Sequence, residues 1–301
     1  MKILCTSQIG SSTVLGQTMR VIAIAKALQQ RGAQVKYLAG GKLIPVVQSH
    51  GIKIIPLPPM PEIELFPDSE QMKDQRYQEK MAVQTANCFQ LSQNSEKETI
   101  AADRPDLMLC GSPLSTLTAK EAKIPAVLTM LQPHGKKTFA YFEQKMQDRK
   151  NLNHILENRM CLPNGKLSGG DFQQSFLQAL DVIGLIFLEG MPEISGGMDL
   201  DEISSHFGTK TDLFQKVKPK IRFTGPLLAE MPGNFPTQEE LKLRYTGHPS
   251  QPLVYVTIGG GTALIGEEFL HLVLEAFRLL PEVNGVVSTG LAIAEEKIAG
   301  Y

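Results

Sequence analysis

The sequence predicts an α/β fold built around mostly parallel sheets, and three observations support that prediction. Short apolar runs alternate with amphipathic helical patterns along the chain, which is typical of stacked βαβ units. Glycine and proline stand at the ends of these patterns, where they stop helices and form turns. The chain of 301 residues is also long enough for about two domains of ordinary size.

The first half of the chain predicts five strands separated by helices. The strands are the short apolar runs 2–6, 34–39, 52–56, 106–110 and 126–130. The helices expected between the strands are 18–31, 43–50 and 113–122. The polar stretch 69–102 contains neither proline nor glycine, so it is predicted to form one or two helices.

The second half continues this pattern and then starts a new unit. It predicts helices at 136–159 and after the Gly-rich break 164–170, followed by strands at 182–188 and 222–225. A new βαβ unit then follows, with elements at 253–258, 264–280 and 285–288. The segment before it combines prolines, glycines and the short charged helix 238–244, which is typical of a linker. The predicted domains are therefore 1–225 and 252–301, joined by a linker at 226–251.

Composition and charge narrow the possible function classes. The chain carries 30 Lys and Arg against 31 Asp and Glu, a formal net charge of −1, so no global field favours a nucleic-acid backbone. Nucleic acid is therefore not expected as a partner. The four cysteines form no CxxC pair and no histidine stands at metal-ligand spacing, so we predict a reduced, cytoplasmic protein without a metal site. Cys5 and Cys110 lie in predicted strands, where cysteine behaves as a small buried hydrophobe.

The sequence contains no predicted membrane-spanning segment. No stretch approaches the roughly 18 apolar residues that a span needs, and the apolar start of the chain is too short for a signal peptide. We expect a soluble protein. Peripheral membrane contact stays open, because it needs only a local apolar and basic surface.

The loop after the first strand is the first candidate site. Ligands of open α/β sheets bind beyond the carboxyl ends of the strands, where this loop carries Gly10, Ser11, Ser12 and Thr13. Such small residues let a ligand approach the backbone, and the next helix offers unpaired amides at its N-terminus. The alternative is a compact surface turn. Neither a P-loop nor a GxGxxG fingerprint is present, which removes the simplest support for ATP hydrolysis and hydride transfer.

The loop between strand 253–258 and helix 264–280 is the second candidate site. It contains three consecutive glycines and a threonine, Gly259, Gly260, Gly261 and Thr262. Amides and a hydroxyl placed over a strand end suit the oxygens of a diphosphate. A flexible turn is the alternative reading of the same residues.

Several segments in order resemble the nucleotide-sugar glycosyltransferases of GT-B type. The sequence GQTMR at 16–20, followed by IAKALQQRGAQV at 24–35, resembles the entry motif in which a Gly-His pair precedes LAxxLxxRGHxV. Four later landmarks follow in the family's order: PDLM at 105–108, GMPE at 190–193, RFTGPL at 222–227 and PLVYVTIG at 252–259. The last resembles the PLVYVSLGS segment that opens the donor domain of sterol- and macrolide-type enzymes.

The resemblance implies two Rossmann-like domains and the transfer of a sugar from a nucleotide sugar of UDP type to an acceptor hydroxyl. It implies that the acceptor is small and lipophilic, and that no cofactor is tightly bound. The residues from Gly10 to Thr13 would contact the acceptor, and those from Gly259 to Thr262 would hold the donor phosphates.

The catalytic pair of the family is absent from this chain. Members of the family use the His of the Gly-His pair as base and orient it with an Asp after the fourth strand. Gln17 stands at the first position, and Gly111 and Ser112 stand at the second. Glutamine does not accept a proton near neutral pH, so Gln17 would only position the acceptor. Ser112 and His134, which follows the fifth strand, are the other candidates, with His134 as a substitute base.

The resemblance covers only the opening part of the donor domain. The family's main nucleotide-binding segment lies further along than the 301 residues reach, so we expect a truncated product, a fragment or half of a split enzyme. An incomplete sheet would leave apolar faces exposed on strand 253–258 and helix 264–280. Two alternatives stay open: a non-catalytic acceptor-binding or scaffolding subunit that recruits a partner chain with the donor domain, and a nucleotide-sugar epimerase.

The loop 56–66 is unusually apolar and has two interpretations. Its apolar side chains are Leu57, Met60, Ile63, Leu65 and Phe66. They would either line a cleft for a lipophilic acceptor or cap the edge of the sheet.

Overall fold

The computed structural model describes the greater part of the chain. The described residues are 1–7, 15–60, 74–131, 161–162, 165–166, 179–190, 216, 218–230, 235–248, 250–257, 266–290 and 293. The chain divides into two compact units. The first comprises Met1–Ser12 and Gln17–Ala229, and the second comprises Thr13–Gly16 and Glu230–Tyr301. The predicted domain limits stay predictions.

A seven-stranded sheet forms the centre of the first unit. Its strands are β1 (Lys2–Thr6), β2 (Gln34–Ala39), β3 (Lys53–Pro56), β4 (Leu107–Cys110), β5 (Ala126–Leu131), β8 (Ile183–Glu189) and β9 (Ile221–Gly225). They pair in the order β3-β2-β1-β4-β5-β8-β9, and every pairing is parallel. The strands β6 (Cys161–Leu162) and β7 (Gly165–Lys166) contain two residues each and pair as a separate antiparallel hairpin.

Four described helices accompany this sheet, namely α1 (Leu15–Gln30), α2 (Leu43–Ser49), α3 (Gln75–Asp103) and α4 (Pro113–Glu121). Asp74 caps the start of α3 by accepting a hydrogen bond from the Arg76 amide. The helix ends at Arg104, which adopts a left-handed conformation with φ of 48°. Ser112 caps α4, and Pro113 occupies its first turn, where the missing N–H costs nothing.

The central strands are buried on both faces, as expected for a parallel sheet covered by helices on each side. The side chains of Leu4, Leu38, Met108 and Leu128 have at most 2% of their surface exposed. Because Thr6 pairs with Cys110 in β4, these two residues point to the same face as Leu4 and Met108. Residues that alternate with them, among them Cys5 and Tyr37, point to the opposite face.

The second unit contains β10 (Leu253–Thr257) paired in parallel with β11 (Asn284–Ser288), and the helices α5 (Gln238–Thr246) and α6 (Gly266–Leu279). A capping box between Thr237 and Glu240 starts α5, and Gly247 ends it in a left-handed conformation. Large apolar side chains remain exposed: Tyr255 at 62%, Leu272 at 69% and Leu279 at 80%. The predicted exposed apolar faces are therefore present on β10 and α6.

The predicted elements and the structure agree closely. β1 and β2 have the predicted bounds, and α1 begins at Leu15, somewhat earlier than expected. The stretch predicted as one or two helices forms one continuous helix, α3, in its described part. The helices predicted at 136–159 and after residue 170 lie outside the described residues. No described helix is long and apolar enough to cross a membrane.

Candidate functional site

The strand order changes direction between β1 and β4, and the candidate site lies there. β1 pairs with β2 on one side and with β4 on the other. The next two strands along the chain, β2 and β3, therefore lie on one side of β1, and the strands from β4 onward lie on its other side. Ligands of open parallel sheets bind at such a switch point, beyond the carboxyl ends of the strands. The amide of Gly111 donates a hydrogen bond of 2.7 Å to the Thr6 carbonyl, so the residues after both strands lie side by side.

Gln17 meets the loop after β4 at this point. A Cβ added to Gly111 would lie 2.9 Å from Gln17 Cγ and 2.8 Å from Ser7 Cβ. The two positions that the sequence predicted to replace the His/Asp pair are thus neighbours in space. Gly111 leaves no room for a carboxylate, because its side-chain direction is filled by Gln17 and Ser7.

Ser112 follows directly and has a structural partner. Its Oγ accepts a hydrogen bond of 3.2 Å from the Leu114 amide, which makes it the N-cap of α4. Its backbone is extended, with φ of −118° and ψ of 137°, as expected for a capping residue. The catalytic role predicted for Ser112 stays a prediction, and helix capping explains why a serine is present.

The other predicted site residues lie outside the described part of the chain. These are His134 after β5, Gly10, Ser11, Ser12 and Thr13 between β1 and α1, and Gly259, Gly260, Gly261 and Thr262 between β10 and α6. Their predicted roles stay predictions.

A chain of buried hydroxyl groups joins β1, α1 and β2 on the face of the sheet that Cys5 and Tyr37 share. Ser7 Oγ lies 2.8 Å from Thr18 Oγ1 and 2.5 Å from the Tyr37 hydroxyl. Burial raises the pKa of the Tyr37 hydroxyl above its ordinary range, and the Ser7 hydrogen bond opposes part of that rise. Tyr37 therefore stays protonated and fixes the first turns of α1 against the sheet.

A buried carboxyl group, Glu96 of α3, lies on the other face. Its side chain is 2% exposed, and Oε1 accepts hydrogen bonds from Ser115 Oγ at 2.5 Å and Thr6 Oγ1 at 3.2 Å. Burial raises the pKa of Glu96, and the neighbouring hydroxyls of Ser115, Thr118 and Thr6 oppose that rise. Thr118 Oγ1 lies close enough to the carboxyl group to lower its pKa, although it makes no hydrogen bond of good geometry. Within the described residues, Thr118 Oγ1 and Glu96 Oε2 are both without a hydrogen-bond partner.

Glu96 lines a small pocket between α3 and the start of α4. Its cavity volume is about 10 Å³, which is room for a single water molecule. Ser92, Gln93, Glu96, Ser112 and Ser115 provide its polar lining, and Phe89 and Leu114 provide its apolar lining. Glu96 was not among the predicted site residues. A signal was nevertheless present, because the buried positions of α3 recur at helical spacing and one of them is a glutamate.

An ion pair joins α1 to the carboxyl end of β8. Arg20 Nη1 lies 3.3 Å from Glu189 Oε2, with side-chain exposures of 14% and 22%. Glu189 Oε1 also accepts a hydrogen bond of 3.0 Å from the Leu227 amide. One carboxylate thus connects the first helix, the sheet and the segment after β9.

The described residues contain no group of three or more metal-binding side chains. Cys5, Cys88 and Cys110 are buried and form no disulfide. Burial raises the pKa of the Cys5 and Cys110 thiols far above their ordinary range, so neither supplies a thiolate near neutral pH.

The apolar loop after β3 is described only in part. Leu57 is buried in the core of the sheet, and Met60 packs against the same core. Both support the interpretation that this loop caps the sheet. Ile63, Leu65 and Phe66 lie outside the described residues.

Sequence comparison gives no relative, since the chain matches no protein-family model and no curated protein sequence. The fold, in contrast, matches solved glycosyltransferases. The glycotransferase of kitacinnamycin matches with a TM-score of 0.54 and 14% identity, over 97% of this chain and 66% of that chain. The spinosyn rhamnosyltransferase complexed with thymidine diphosphate gives a TM-score of 0.52, 15% identity and coverages of 95% and 65%.

An Arabidopsis thaliana UGT complexed with UDP-L-rhamnose matches with a TM-score of 0.50 and 14% identity, over 97% of this chain and 69% of that chain. The chain therefore spans about two thirds of the length of these structures. The predicted α/β fold of GT-B type is confirmed. At these identities the similarity describes the fold.

Proposed function

We propose that this chain is the acceptor-binding part of a nucleotide-sugar glycosyltransferase, with the opening part of its donor domain. The observation that carries the proposal is the fold, which matches glycosyltransferases over nearly the whole chain. The position of Gln17 supports it, because this residue stands beside Gly111 at the strand switch point, where such a fold binds ligands.

The donor we propose is a sugar linked to a nucleoside diphosphate, of UDP type. Two matching structures are described as complexes with UDP-L-rhamnose and thymidine diphosphate. The loop from Gly259 to Thr262 supports the proposal through its composition, because consecutive backbone amides bind phosphate oxygens. It follows β10, a strand of the second unit.

The acceptor we propose is a small molecule with a hydroxyl group and an apolar body. On this proposal the residues Gly10 to Thr13 line its path, and the Gln17 amide orients its hydroxyl group. An amide can donate and accept hydrogen bonds but cannot remove the proton, so the base is another group. His134 stays our candidate for that role.

We propose further that additional polypeptide completes the donor domain. The support is the exposed apolar surface of the second unit, where Tyr255, Leu272 and Leu279 are each more than half exposed. Exposed apolar side chains on both the strand and the helix of one small unit are what an incomplete sheet would leave. Polypeptide from the same protein or from a partner chain would cover this surface.

The absence of a carboxylate at Gly111 favours a second candidate function. A subunit that binds the acceptor and recruits a catalytic partner needs no base of its own, and Gly111 has no space for the usual acidic side chain. On this reading Gln17 and its neighbours bind the acceptor only.

Product analysis tests these proposals. The purified chain is incubated with UDP- and dTDP-sugars and a panel of hydroxylated lipophilic acceptors, and mass spectrometry identifies the products. Release of nucleoside diphosphate with a glycosylated acceptor supports transfer. An epimerised nucleotide sugar with no acceptor product would instead identify an epimerase. Acceptor binding without turnover, with turnover restored by a partner chain, would identify the subunit role.

A Gln17→Ala variant tests the role of Gln17 in the same assay. We expect weaker acceptor binding or slower transfer, with unchanged circular dichroism. Gln90→Ala serves as the matched control, since Gln90 lies exposed on α3 and bonds only Asn94 in the described structure. Equal behaviour of both variants would count against a role for Gln17.

A further inference from the structure

We infer that α6 pairs with α6 of a second copy of this chain, in antiparallel orientation, through an apolar stripe formed by Leu272, Ala276 and Leu279. The proposed function needs a chain that covers the exposed apolar surface of the second unit, and it leaves open which chain does so. The inference rests on that part of the proposed function, and it names a second copy as the cover of α6.

The stripe lies on the side of α6 that faces away from its own sheet. Leu272 and Leu279 are 69% and 80% exposed, and Ala276 between them is exposed as well. These residues stand at positions i, i+4 and i+7, so they form one line along the helix. Phe277 points the other way, since its ring lies where a side chain on Gly285 of β11 would be. The sheet of the second unit therefore leaves the stripe uncovered.

The stripe matches itself when two copies of α6 run antiparallel about a two-fold axis near Ala276. Leu272 lies four residues before this position and Leu279 lies three residues after it. A two-fold rotation therefore brings Leu272 of each helix against Leu279 of the other. The small side chain of Ala276 lies close to the axis, where it lets the two helices approach each other.

The charged residues beside the stripe fit the same arrangement. Glu275 and Arg278 lie on one side of the stripe, both more than half exposed, with Arg278 Nη1 3.3 Å from Glu275 Oε1. Glu275 is one residue before Ala276 and Arg278 is two residues after it, so the rotation sets Glu275 of each helix opposite Arg278 of the other. A parallel pair would set identical residues at the same level and lose this complementarity.

The exposed face of the strand pair is a separate surface. Val254 pairs with Gly285, whose added side chain would meet Phe277, so Val254 faces α6. Tyr255, the next residue of β10, faces the opposite side. Tyr255 is therefore not part of the stripe, and its face is left to the polypeptide that completes the sheet.

The contact is small, so the dimer is weak. Three apolar and two charged side chains on each helix cover less than the roughly 800 Å² per partner of a standard protein interface. We expect a dissociation constant of about 10–500 µM.

Sedimentation equilibrium of the 301-residue chain between about 5 µM and about 1 mM tests the inference, because dimer formation depends on concentration. We expect the apparent mass to rise from that of a monomer toward that of a dimer. A chain that stays monomeric at the highest concentration overturns the inference and leaves the stripe to the polypeptide that completes the donor domain.

Two variants locate the contact. Ala276→Glu sets like charges against each other near the axis, so we expect association to weaken at least about tenfold. Since Ala276 is exposed, circular dichroism should be unchanged. Tyr255→Thr is the matched control, because it removes an apolar side chain that is 62% exposed on the other surface and should leave association unchanged. If Tyr255→Thr weakens association as much as Ala276→Glu does, the inference is overturned.

Charge exchange tests the antiparallel orientation. Glu275→Arg or Arg278→Glu sets like charges opposite each other twice in each dimer, so each variant should weaken association about three- to tenfold. The double variant restores opposite charges and should associate like the natural chain. A double variant that associates as weakly as the single variants, or single variants without effect, would overturn the inference.

These measurements involve no sugar transfer, so the inference and the proposed function fail separately. A chain that dimerises through α6 but transfers no sugar contradicts the proposed function alone. A monomeric chain that transfers sugar contradicts this inference alone.

Discussion

The side chain of Gln17 occupies the space into which any side chain at position 111 would point. Its Cγ lies 2.9 Å from the place of a Cβ on Gly111, and Ser7 Cβ and Cα lie 2.8 and 3.1 Å from that place. The backbone atom Ser7 Cα cannot move aside without disturbing β1. Glycine at position 111 and glutamine at position 17 therefore form one packed arrangement.

Substitution of Gly111 by Ala tests this arrangement. We expect the variant to be destabilised by about 1–3 kcal/mol, because an added methyl group overpacks a site that includes backbone. Urea unfolding followed by circular dichroism measures the free energy of unfolding. Gly184→Ala is the matched control, since the nearest atom to its added Cβ is 4.0 Å away. Equal costs at both glycines would contradict the packing argument.

The raised pKa of Glu96 predicts a pH-dependent stability. Folding favours the protonated form of a carboxyl group whose pKa is raised, so its contribution is fully present below the ordinary glutamate pKa of 4.5 and is lost as pH rises through the folded value. Glu96→Gln does not titrate and retains an acceptor for Thr6 and Ser115. The difference in stability between variant and natural chain should therefore shift in favour of the variant as pH rises.

Thermal unfolding of both proteins between pH 4 and pH 8 measures that difference. Glu98→Gln, on the exposed face of α3, should follow the natural chain throughout. A constant difference between Glu96→Gln and the natural chain across the range would show that burial does not penalise the Glu96 charge.

The sequence predicted the described strands and helices because these elements depend on short stretches of sequence, whereas the roles assigned to the site residues stay predictions. Strands and helices follow from periodicity and from glycine and proline within short windows, so elements such as β1 and β2 were predicted with their observed bounds. The meeting of Gln17 with the segment after β4 was implied only by the resemblance to glycosyltransferases, in which an Asp after the fourth strand orients the His of the Gly-His pair. Glu96 was missed because its partners are distant in sequence: Thr6 is 90 residues away, and no local pattern joins the two.

Ser112 provides a test that separates capping from catalysis. Ser112→Ala removes the acceptor of the Leu114 amide and should cost about 1 kcal/mol, whereas Ser112→Gly should cost only a few tenths, since glycine is tolerated at an N-cap. Chemical unfolding measures both values. If activity falls equally in both variants while stability follows the predicted order, Ser112 also has a role in binding or catalysis.

The ion pair between Arg20 and Glu189 should contribute more to stability than exposed pairs do. Glu189→Gln keeps the acceptor for the Leu227 amide but leaves the Arg20 charge without its partner, so we expect a loss of about 2 kcal/mol. Lys120→Ala breaks the pair of Lys120 with Asp181, whose side chain is 80% exposed, and should change stability by less than about 1 kcal/mol. Urea unfolding measures the free energy of unfolding of both variants. If both lose a similar amount of stability, burial does not strengthen the pair of Arg20 with Glu189.

Gly285 in β11 has no room for a side chain, because an added Cβ would overlap the ring of Phe277 in α6. Gly285→Ala should therefore displace the ring and loosen the pairing of β10 with β11 by about 1–3 kcal/mol. Hydrogen exchange of the amides in this pair, such as Asn284 bonded to the Pro252 carbonyl at 3.1 Å, measures the loosening locally. Phe277→Leu shortens the side chain, so the alanine should cost less in that background than in the natural chain. If Gly285→Ala loses the same amount of stability in both backgrounds, the Phe277 ring does not cause the loss. The glycine is then required by the backbone of β11.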